Sequence, residues 1–485
     1  PLLLLGALVA GILTGDRLGA GPARAALAAG AVLAAGAAGA VYALGSYRLD
    51  DATVLPIAAA GLVAVVLGLW RLEYGLALLI VLTPFAENAP IAEPEHARLR
   101  VALAVWALAL VGIQAVRAVV SGRRLEAPSV FVGALAFVGA ALAAVPFAQD
   151  GAAASAKFLL LAGSVFVYLL IALFLDDWRS LRPIFAALLL VGLLVSGHAL
   201  WQYATGDLSR VGFVSATGAV EYRVASFFPH PNQLAGFVVL FVPLSVGLYR
   251  VFESRLARGA CVLLALAAVP AAIVTYSRGV LVALVALVVV LARSRRAWPL
   301  IAGAAVVVAL LAPTAWQDRV ADVGSLDRPE IATRLDFWDA AVSMFQANPV
   351  LGVGLNNFDV AYVSLERTGR SFLPGTGIAA PETAHNLYLN TLAEQGLVGI
   401  AALLLLVLAA GRLALQLRRS DDPRVRGFGL GLLGAGVALL VSNLFDVTFV
   451  DPKTSVLAWT ILGVGAALRR IDARRRAIAT SPPGA

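Results

Sequence analysis

Three groups of polar residues stand where apolar stretches of this chain begin or end, and their types suit chemistry on an anionic, hydroxyl-bearing substrate. The sharpest is Thr383-Ala384-His385-Asn386-Leu387-Tyr388-Leu389-Asn390-Thr391-Leu392-Ala393-Glu394-Gln395-Gly396. Read as a helix, it sets Asn386, Asn390 and Glu394 on one face at four-residue spacing. A polar stripe leading into an apolar run is costly in lipid and usually functional. His385 titrates near working pH and suits proton transfer from a sugar hydroxyl, the alternative being a structural histidine at a helix start. The second group is Tyr276-Ser277-Arg278-Gly279, where one apolar run ends and the next begins at once. A guanidinium there matches two oxygens of a phosphate or diphosphate and never deprotonates. The alternative is an interfacial arginine snorkelling to headgroups. The third is Glu221-Tyr222-Arg223 followed by Phe227-Phe228-Pro229-His230-Pro231-Asn232. Here Asn232 reads as a helix N-cap beside Pro231. Arg223 reads either as a partner of Glu221 or Asp207 or as a second phosphate ligand.

The elements that must hold these groups are read from composition. Of 485 residues, 60% are hydrophobic and 14% charged, with a mean hydropathy of +0.88. A soluble chain could not cover that much apolar surface, so lipid is the solvent. About fifteen runs are long enough to be read as spans. They lie at 2–13, 25–44, 52–70, 74–85, 101–120, 128–148, 157–175 and 181–203, then 232–251, 257–275, 279–292 and 299–312, and finally 397–413, 427–445 and 454–468. No cleavable signal peptide is read ahead of them. The single cysteine, Cys261, excludes a disulfide framework, and no Cys/His cluster suggests a metal.

Arginines gather in alternate connections, at 123/124, 179/182, 250/255/258, 293/295/296, 412–426 and 469–476. That is the footprint of a cytoplasmic side, so the net charge of +8 argues for membrane topology and against a nucleic-acid partner. The opposite, outer side then receives the long connections 204–231 and 313–395, with His96, His198, His230 and His385 at or near it. Long connections usually carry function. Within the larger one, Leu335, Trp338, Val342 and Phe345 recur at helical spacing, predicting an amphipathic helix over 331–345 that lies on the membrane surface. Asn348-Pro349 ends it, and Gly352, Gly354, Gly375 and Gly377 supply turns. The expected organisation is N-terminal membrane helices over 1–200, an outer loop over 201–231 and central membrane helices over 232–312. A large outer loop carrying the catalytic motif follows over 313–395, then C-terminal membrane helices over 396–470 and a cytoplasmic tail over 471–485.

The ordered set of motifs resembles the O-antigen ligase family, polytopic bacterial enzymes that include polysaccharide polymerases and protein O-glycosylating transferases. The matching pieces are Arg223 ahead of Phe-Phe-Pro-His-Pro-Asn, Tyr-Ser-Arg-Gly at 276–279, and Arg334 with Trp338. They continue with Asn348-Pro349-Val350-Leu351-Gly352-Val353-Gly354 and Phe358, His385-Asn386, and Glu394-Gln395-Gly396-Leu397-Val398-Gly399. The resemblance implies an all-α polytopic membrane protein, a helical bundle like the C-type glycosyltransferases with a partly helical large periplasmic loop. It implies an inner-membrane enzyme without cofactor or metal, whose donor is a glycan on undecaprenyl diphosphate and whose acceptor is a lipid, glycan or protein. Arg223 and Arg278 would bind the diphosphate and His385 would activate the acceptor hydroxyl. Arg334, His230, Asn232, Asn386, Glu394 and Asp446, with Asn443 nearby, would line the substrate cavity. Two guanidiniums would stabilise the charge that develops on the departing diphosphate.

Three readings follow, beside a fourth, a non-catalytic membrane scaffold, which would leave the Arg/His constellation unexplained. Ligation transfers a whole glycan to an acceptor, polymerisation extends repeat units on the carrier, and a transporter or flippase moves the lipid-linked glycan without chemistry. A transporter calls for ionisable groups at mid-membrane and interrupted spans in paired halves. The spans here are nearly free of charge at their centres, and the polar residues crowd one side, which favours an enzyme.

Overall fold

The computed structural model describes residues 71–85, 110, 114, 117, 118, 121, 122, 125–208, 212–214, 220–292, 329–367 and 381–480. The spans expected at 2–13, 25–44, 52–70 and 299–312, most of 101–120, and His96 lie outside the described residues. Those described are helical almost throughout. In chain order the helices are α1 (Leu72–Leu82), α2 (Phe131–Ala144), α3 (Gly151–Phe174), α4 (Trp178–Thr205), α5 (Pro231–Val238), α6 (Phe241–Val251) and α7 (Arg255–Ile273). They continue with α8 (Arg278–Ala292), α9 (Pro329–Ala347), α10 (Phe358–Arg367), α11 (Leu387–Arg418), α12 (Pro423–Ser442) and α13 (Pro452–Thr480). Among the described residues, six stretches are long and apolar enough to cross a membrane: α3, α4, α5 with α6, α7, α11 and α12. Three shorter apolar helices, Leu72–Phe85, Phe131–Phe147 and Arg278–Ala292, accompany them. The chain is an all-α polytopic membrane protein.

One element was not expected. A short antiparallel hairpin, β1 (Gly212–Val214) with β2 (Val220–Tyr222), pairs Gly212 with Tyr222 and Val214 with Val220. It delivers Arg223 directly after its second strand.

The chain divides into two units. Pro1–Phe131, Leu159–Val191 and Val456–Ala485 form the first. In it Tyr168 of α3 and Trp459 of α13 are fully buried with ring centroids 5.6 Å apart. Arg470 closes the C-terminal end of α3, donating to the carbonyls of Leu173 and Leu175 and pairing with Asp176 at 2.7 Å. Those carbonyls have no partner within the helix, so a cation is favoured there.

Val132–Phe158 and Gly192–Ser455 form the second unit. Its centre is α12 packed against α6 and α8. Small residues permit that approach: a Cβ on Gly431 would stand 3.0 Å from the Pro243 carbonyl oxygen, and one on Gly247 3.2 Å from the Gly431 Cα. In lipid, where tails compete with apolar side chains, close backbone contact is the available source of helix association. α12 starts after Asp422, whose carboxylate accepts from the Arg424 N–H at 2.8 Å with Pro423 at the first helical position.

The helix expected over 331–345 is α9, but it buries a different face. Phe337, Ala340, Ala341 and Met344 are at most 5% exposed and pack against Phe358, Tyr362, Ala384 and Ala393. Leu335 and Val342, expected on its apolar side, are exposed. Both stripes have helical spacing, and the alanines let α9 seat closely against α11.

The polar stripe and the apolar run after it prove to be two parts of α11, divided by a break at Gly396 (φ 59°, ψ −153°). Such a break frees backbone groups, and the loop before α10 takes them up. Val353 and Gly354 donate to the carbonyls of Ala393 and Glu394 at 2.9 and 3.1 Å, while Leu397 and Val398 donate to Pro349 and Val350 at 2.9 and 3.2 Å. Gly352 (φ +71°) and Gly354 (φ +106°) adopt the backbone region only glycine reaches freely. A Cβ on Gly396 would stand 2.5 Å from the Val350 carbonyl carbon, and one on Gly352 would strike the Glu394 backbone. The motifs Asn-Pro-Val-Leu-Gly-Val-Gly and Glu-Gln-Gly-Leu-Val-Gly are thus the two halves of one backbone joint.

Candidate active site

The site lies in the second unit, where the segment after α12 meets the N-terminus of α11. Past Ser442 the helix stops, and the carbonyls of the turn that follows are open to donors from other segments. Four consecutive ones receive them. Leu387 N–H donates to Asn443 at 2.9 Å and to Asp446 at 3.1 Å, Asn386 Nδ2 to Leu444 at 3.1 Å, and Arg334 Nη1 to Phe445 at 2.9 Å. Asn443, fully buried, fixes the turn by donating to the Leu439 carbonyl and Thr448 Oγ1 and accepting from Phe449 N–H.

This arrangement sets Asp446 against His385. The Asp446 Oδ1 to His385 Nδ1 distance is 3.5 Å, an ion-pair separation longer than an ordinary hydrogen bond. Asp446 Oδ1 also accepts from the Val447 N–H at 2.8 Å. His385 Nδ1 is buried and makes no hydrogen bond among the described residues. The imidazole is held by its backbone, which is left-handed (φ 48°), and by Phe337, whose ring is 6.1 Å away and nearly parallel. Trp338 Nε1 donates to the Ala384 carbonyl at 3.1 Å, and Asn390 Oδ1 accepts from the Ala384 N–H at 3.0 Å, so the residue before His385 is pinned from both sides.

Asp446, Arg223, His385 and Arg334 all act electrostatically on His230. Burial pushes the His230 imidazole down to about 4. Asp446 opposes that, and Arg223, His385 and Arg334 reinforce it. For Asp446, burial raises the carboxyl, but the proximity of His385, the charge of His230 and the Val447 N–H outweigh it, and the group sits well below the usual carboxylate range. At neutral pH His230 is therefore uncharged and Asp446 ionised. His230 Nδ1 accepts from the Asn232 N–H at 3.1 Å, so its proton is on Nε2, which is a donor.

Arg223 Nη1 reaches the Tyr276 carbonyl at 3.5 Å, tying the hairpin to the Tyr-Ser-Arg-Gly turn. Tyr276 has φ 55°, and Arg278, half-buried, opens α8 two residues later. A Cβ on Gly279 would stand 2.8 Å from Phe445 Cβ, so α8 begins against the residue that precedes Asp446. Ser226 is a third non-glycine residue with positive φ (51°), besides Tyr276 and His385. Backbone strain of this kind collects at functional sites.

The candidate residues thus fall into two sets. Arg223, His230, Arg334, His385 and Asp446 converge, with Arg278 at the adjoining turn. Asn386, Asn390 and Glu394 hold the frame. Asn386 caps α11, its Oδ1 accepting from the N–H groups of Tyr388 and Leu389 at 3.0 and 3.1 Å. Glu394, 5% exposed, accepts from the backbone of Asn356 and Phe358 and from the Asn390 side chain. Asn232 is not the N-cap expected of it. His230 occupies that position because proline favours the first helical position, which places the cap one residue before Pro231.

Two features escaped the sequence reading. The Phe445 carbonyl anchors Arg334, and no residue type signals that. Lys453, 1% exposed, donates to the Phe227 carbonyl and stands 4.7 Å from the centre of the Phe228 ring, securing the turn between Arg223 and His230. A charge at the edge of an apolar run was its available signal.

None of the curated proteins compared matches this chain. The O-antigen ligase family model matches residues 260–404, a segment holding Arg278, Arg334 and His385, whereas Arg223, His230 and Asp446 lie outside it. The match supports a membrane glycosyltransferase of the ligase or polymerase type, and this multi-pass membrane protein is similar to the O-antigen ligase family over that segment.

Proposed function

We propose that the second unit transfers a glycan from an undecaprenyl-diphosphate carrier to an acceptor hydroxyl at the outer, periplasmic face of the bacterial inner membrane. The observation that carries this reading is the gathering of Arg223, Arg334, His385 and Asp446 around His230, with Arg278 opening α8 against Phe445. Guanidiniums gathered in this way suit a diphosphate.

In this reaction the acceptor oxygen attacks the anomeric carbon from the side opposite the diphosphate, and a carbon–oxygen bond forms. The bond from the anomeric carbon to the phosphate oxygen breaks, and the diphosphate leaves with the electron pair. Arg223 and Arg278 neutralise it, with Arg334 as a further cation and the Nε2–H of His230 as a neutral donor. The acceptor proton passes to His385. Asp446 faces Nδ1, which leaves Nε2 for the hydroxyl, and the carboxylate stabilises the imidazolium that results. The anomeric centre inverts. Asn386, Glu394 and Asn232 act by shaping the cavity.

The test is a transfer assay with purified protein, an undecaprenyl-diphosphate-linked oligosaccharide and a panel of hydroxyl acceptors, run beside Arg278→Ala. One acceptor adduct, lost in the variant, supports ligation. A ladder on the carrier instead makes the enzyme a polymerase. Donor bound but never consumed, with wild type and variant alike, overturns the reading in favour of transport.

A further inference from the structure

The joint between Pro349–Gly354 and the break in α11 has a second property. Val350 is 58% exposed, and the residues that the Pro349–Val350 turn meets through the backbone, Leu397 and Val398, are 54% and 38% exposed. The same helix goes on to expose Leu404, Leu405 and Leu408. α11 is one of the spanning candidates, and only a third of its most apolar window is buried within the protein. Its uncovered side therefore faces lipid. Val350 lies at the level of Leu397, flush with that side.

We infer that the Pro349–Val350 turn is a re-entrant segment, immersed in the acyl chains of the outer leaflet beside the first apolar turn of α11. The hydrogen bonding supports this. A break in a helix exposed to water can leave its freed groups to solvent. At the Gly396 break, Ala393 and Glu394 have protein donors for their carbonyls, and Leu397 and Val398 have protein acceptors for their N–H groups. Irregular backbone in hydrocarbon is tolerated only when it is satisfied in this way, because each unmade bond there costs several kcal/mol. The occupant of the Val350–Leu397–Val398 surface is thus the acyl chain of a bilayer lipid. Immersion fixes the depth of α9, which ends just before the turn and carries Arg334, and so sets the site at headgroup level.

The experiment uses the full-length protein in lipid nanodiscs with the buried Cys261 replaced by alanine. Val350→Cys and, separately, Leu397→Cys are labelled with an environment-sensitive fluorophore. Leu404→Cys serves as the lipid reference and Glu382→Cys, exposed on the loop, as the aqueous one. Immersion predicts blue-shifted emission at positions 350 and 397, quenched more strongly by spin-labelled lipid than by iodide, as at position 404. Quenching at position 350 by iodide at least as strong as by the lipid probe overturns the inference. The second labelled position, 397, decides the matter if the first variant does not fold. The result does not depend on glycosyl transfer, so a failed transfer assay leaves it standing.

Discussion

Two neighbouring regions of the second unit are built from similar residues and do different things. In the joint of α11, asparagines, a glutamate and glycines saturate one another: Asn386 caps, Asn390 holds Ala384, Glu394 holds Asn356 and Phe358, and the glycines let two backbones meet. In the site beside it, the ionisable groups act on one another through their charge. His385 and His230 act on the Asp446 carboxylate, Arg223 and Arg334 act on His230, and the Nδ1 of His385 is buried 3.5 Å from the carboxylate without a hydrogen bond among the described residues. The difference teaches that a polar stripe at the head of a span is ambiguous. Polar groups bonded to the frame make structure, and mutually interacting ionisable groups are the candidates for a binding site.

The sharpest way to break this comparison is to remove a guanidinium. Arg278→Ala and Arg223→Ala should each lower transfer by roughly a hundred- to a thousand-fold, the scale of losing one preorganised donor to developing charge. Melting temperatures should stay near wild type. A thermally crippled but active variant would move these arginines into the frame. The converse test falls on the joint. Gly396→Ala or Gly352→Ala combines a left-handed backbone with a clash and should cost about 3 kcal/mol, read as a lower melting temperature in detergent. Asp446→Asn comes next. It should reduce turnover by roughly a hundred-fold and alter the pH–rate profile while donor binding is retained.

A pH titration of stability examines the site from a different side. His230 has a folded pKa of about 4 against 6.5, so the native state binds fewer protons than the unfolded chain between those values. The stabilisation is fully present above pH 6.5 and is lost as the pH falls toward 4, amounting to roughly 3 kcal/mol at most. Asp446, also depressed, adds a loss of the same sign below the ordinary carboxylate range. His230→Asn keeps a capping side chain, removes the titration and should flatten this acid limb in a thermal scan. The smallest effect belongs to Asn386→Ala. Loss of the cap should cost about 1 kcal/mol, with turnover changed far less than in Asp446→Asn.

Much of the architecture was legible in the sequence. Apolar runs at 157–175, 181–203, 232–251, 257–275, 279–292 and 427–445 correspond to α3, α4, α5 with α6, α7, α8 and α12, each matching within a few residues to a turn or so at either end. Lipid imposes this: a segment without water must be helical and apolar over a fixed length, and both conditions show in a single sequence. The residue types of the site were legible too, because Arg, His and Asp at span ends are conspicuous where charge is expensive.

What the sequence could not assign was which of those residues meet. Arg223 finds the Tyr276 carbonyl 53 residues away, and Arg334 finds the Phe445 carbonyl 111 away. Main-chain acceptors look alike in sequence, so nothing marked these two. The face α9 buries, the cap at His230 rather than Asn232, and the pairing of two glycine motifs into one joint were decided in the same way, by packing between distant segments. The sequence by itself determined that this is a helical membrane protein with cationic groups at its span ends. Only the tertiary structure decided which polar groups are bound into the frame and which gather into the candidate site, because that depends on the partners that folding brings into reach.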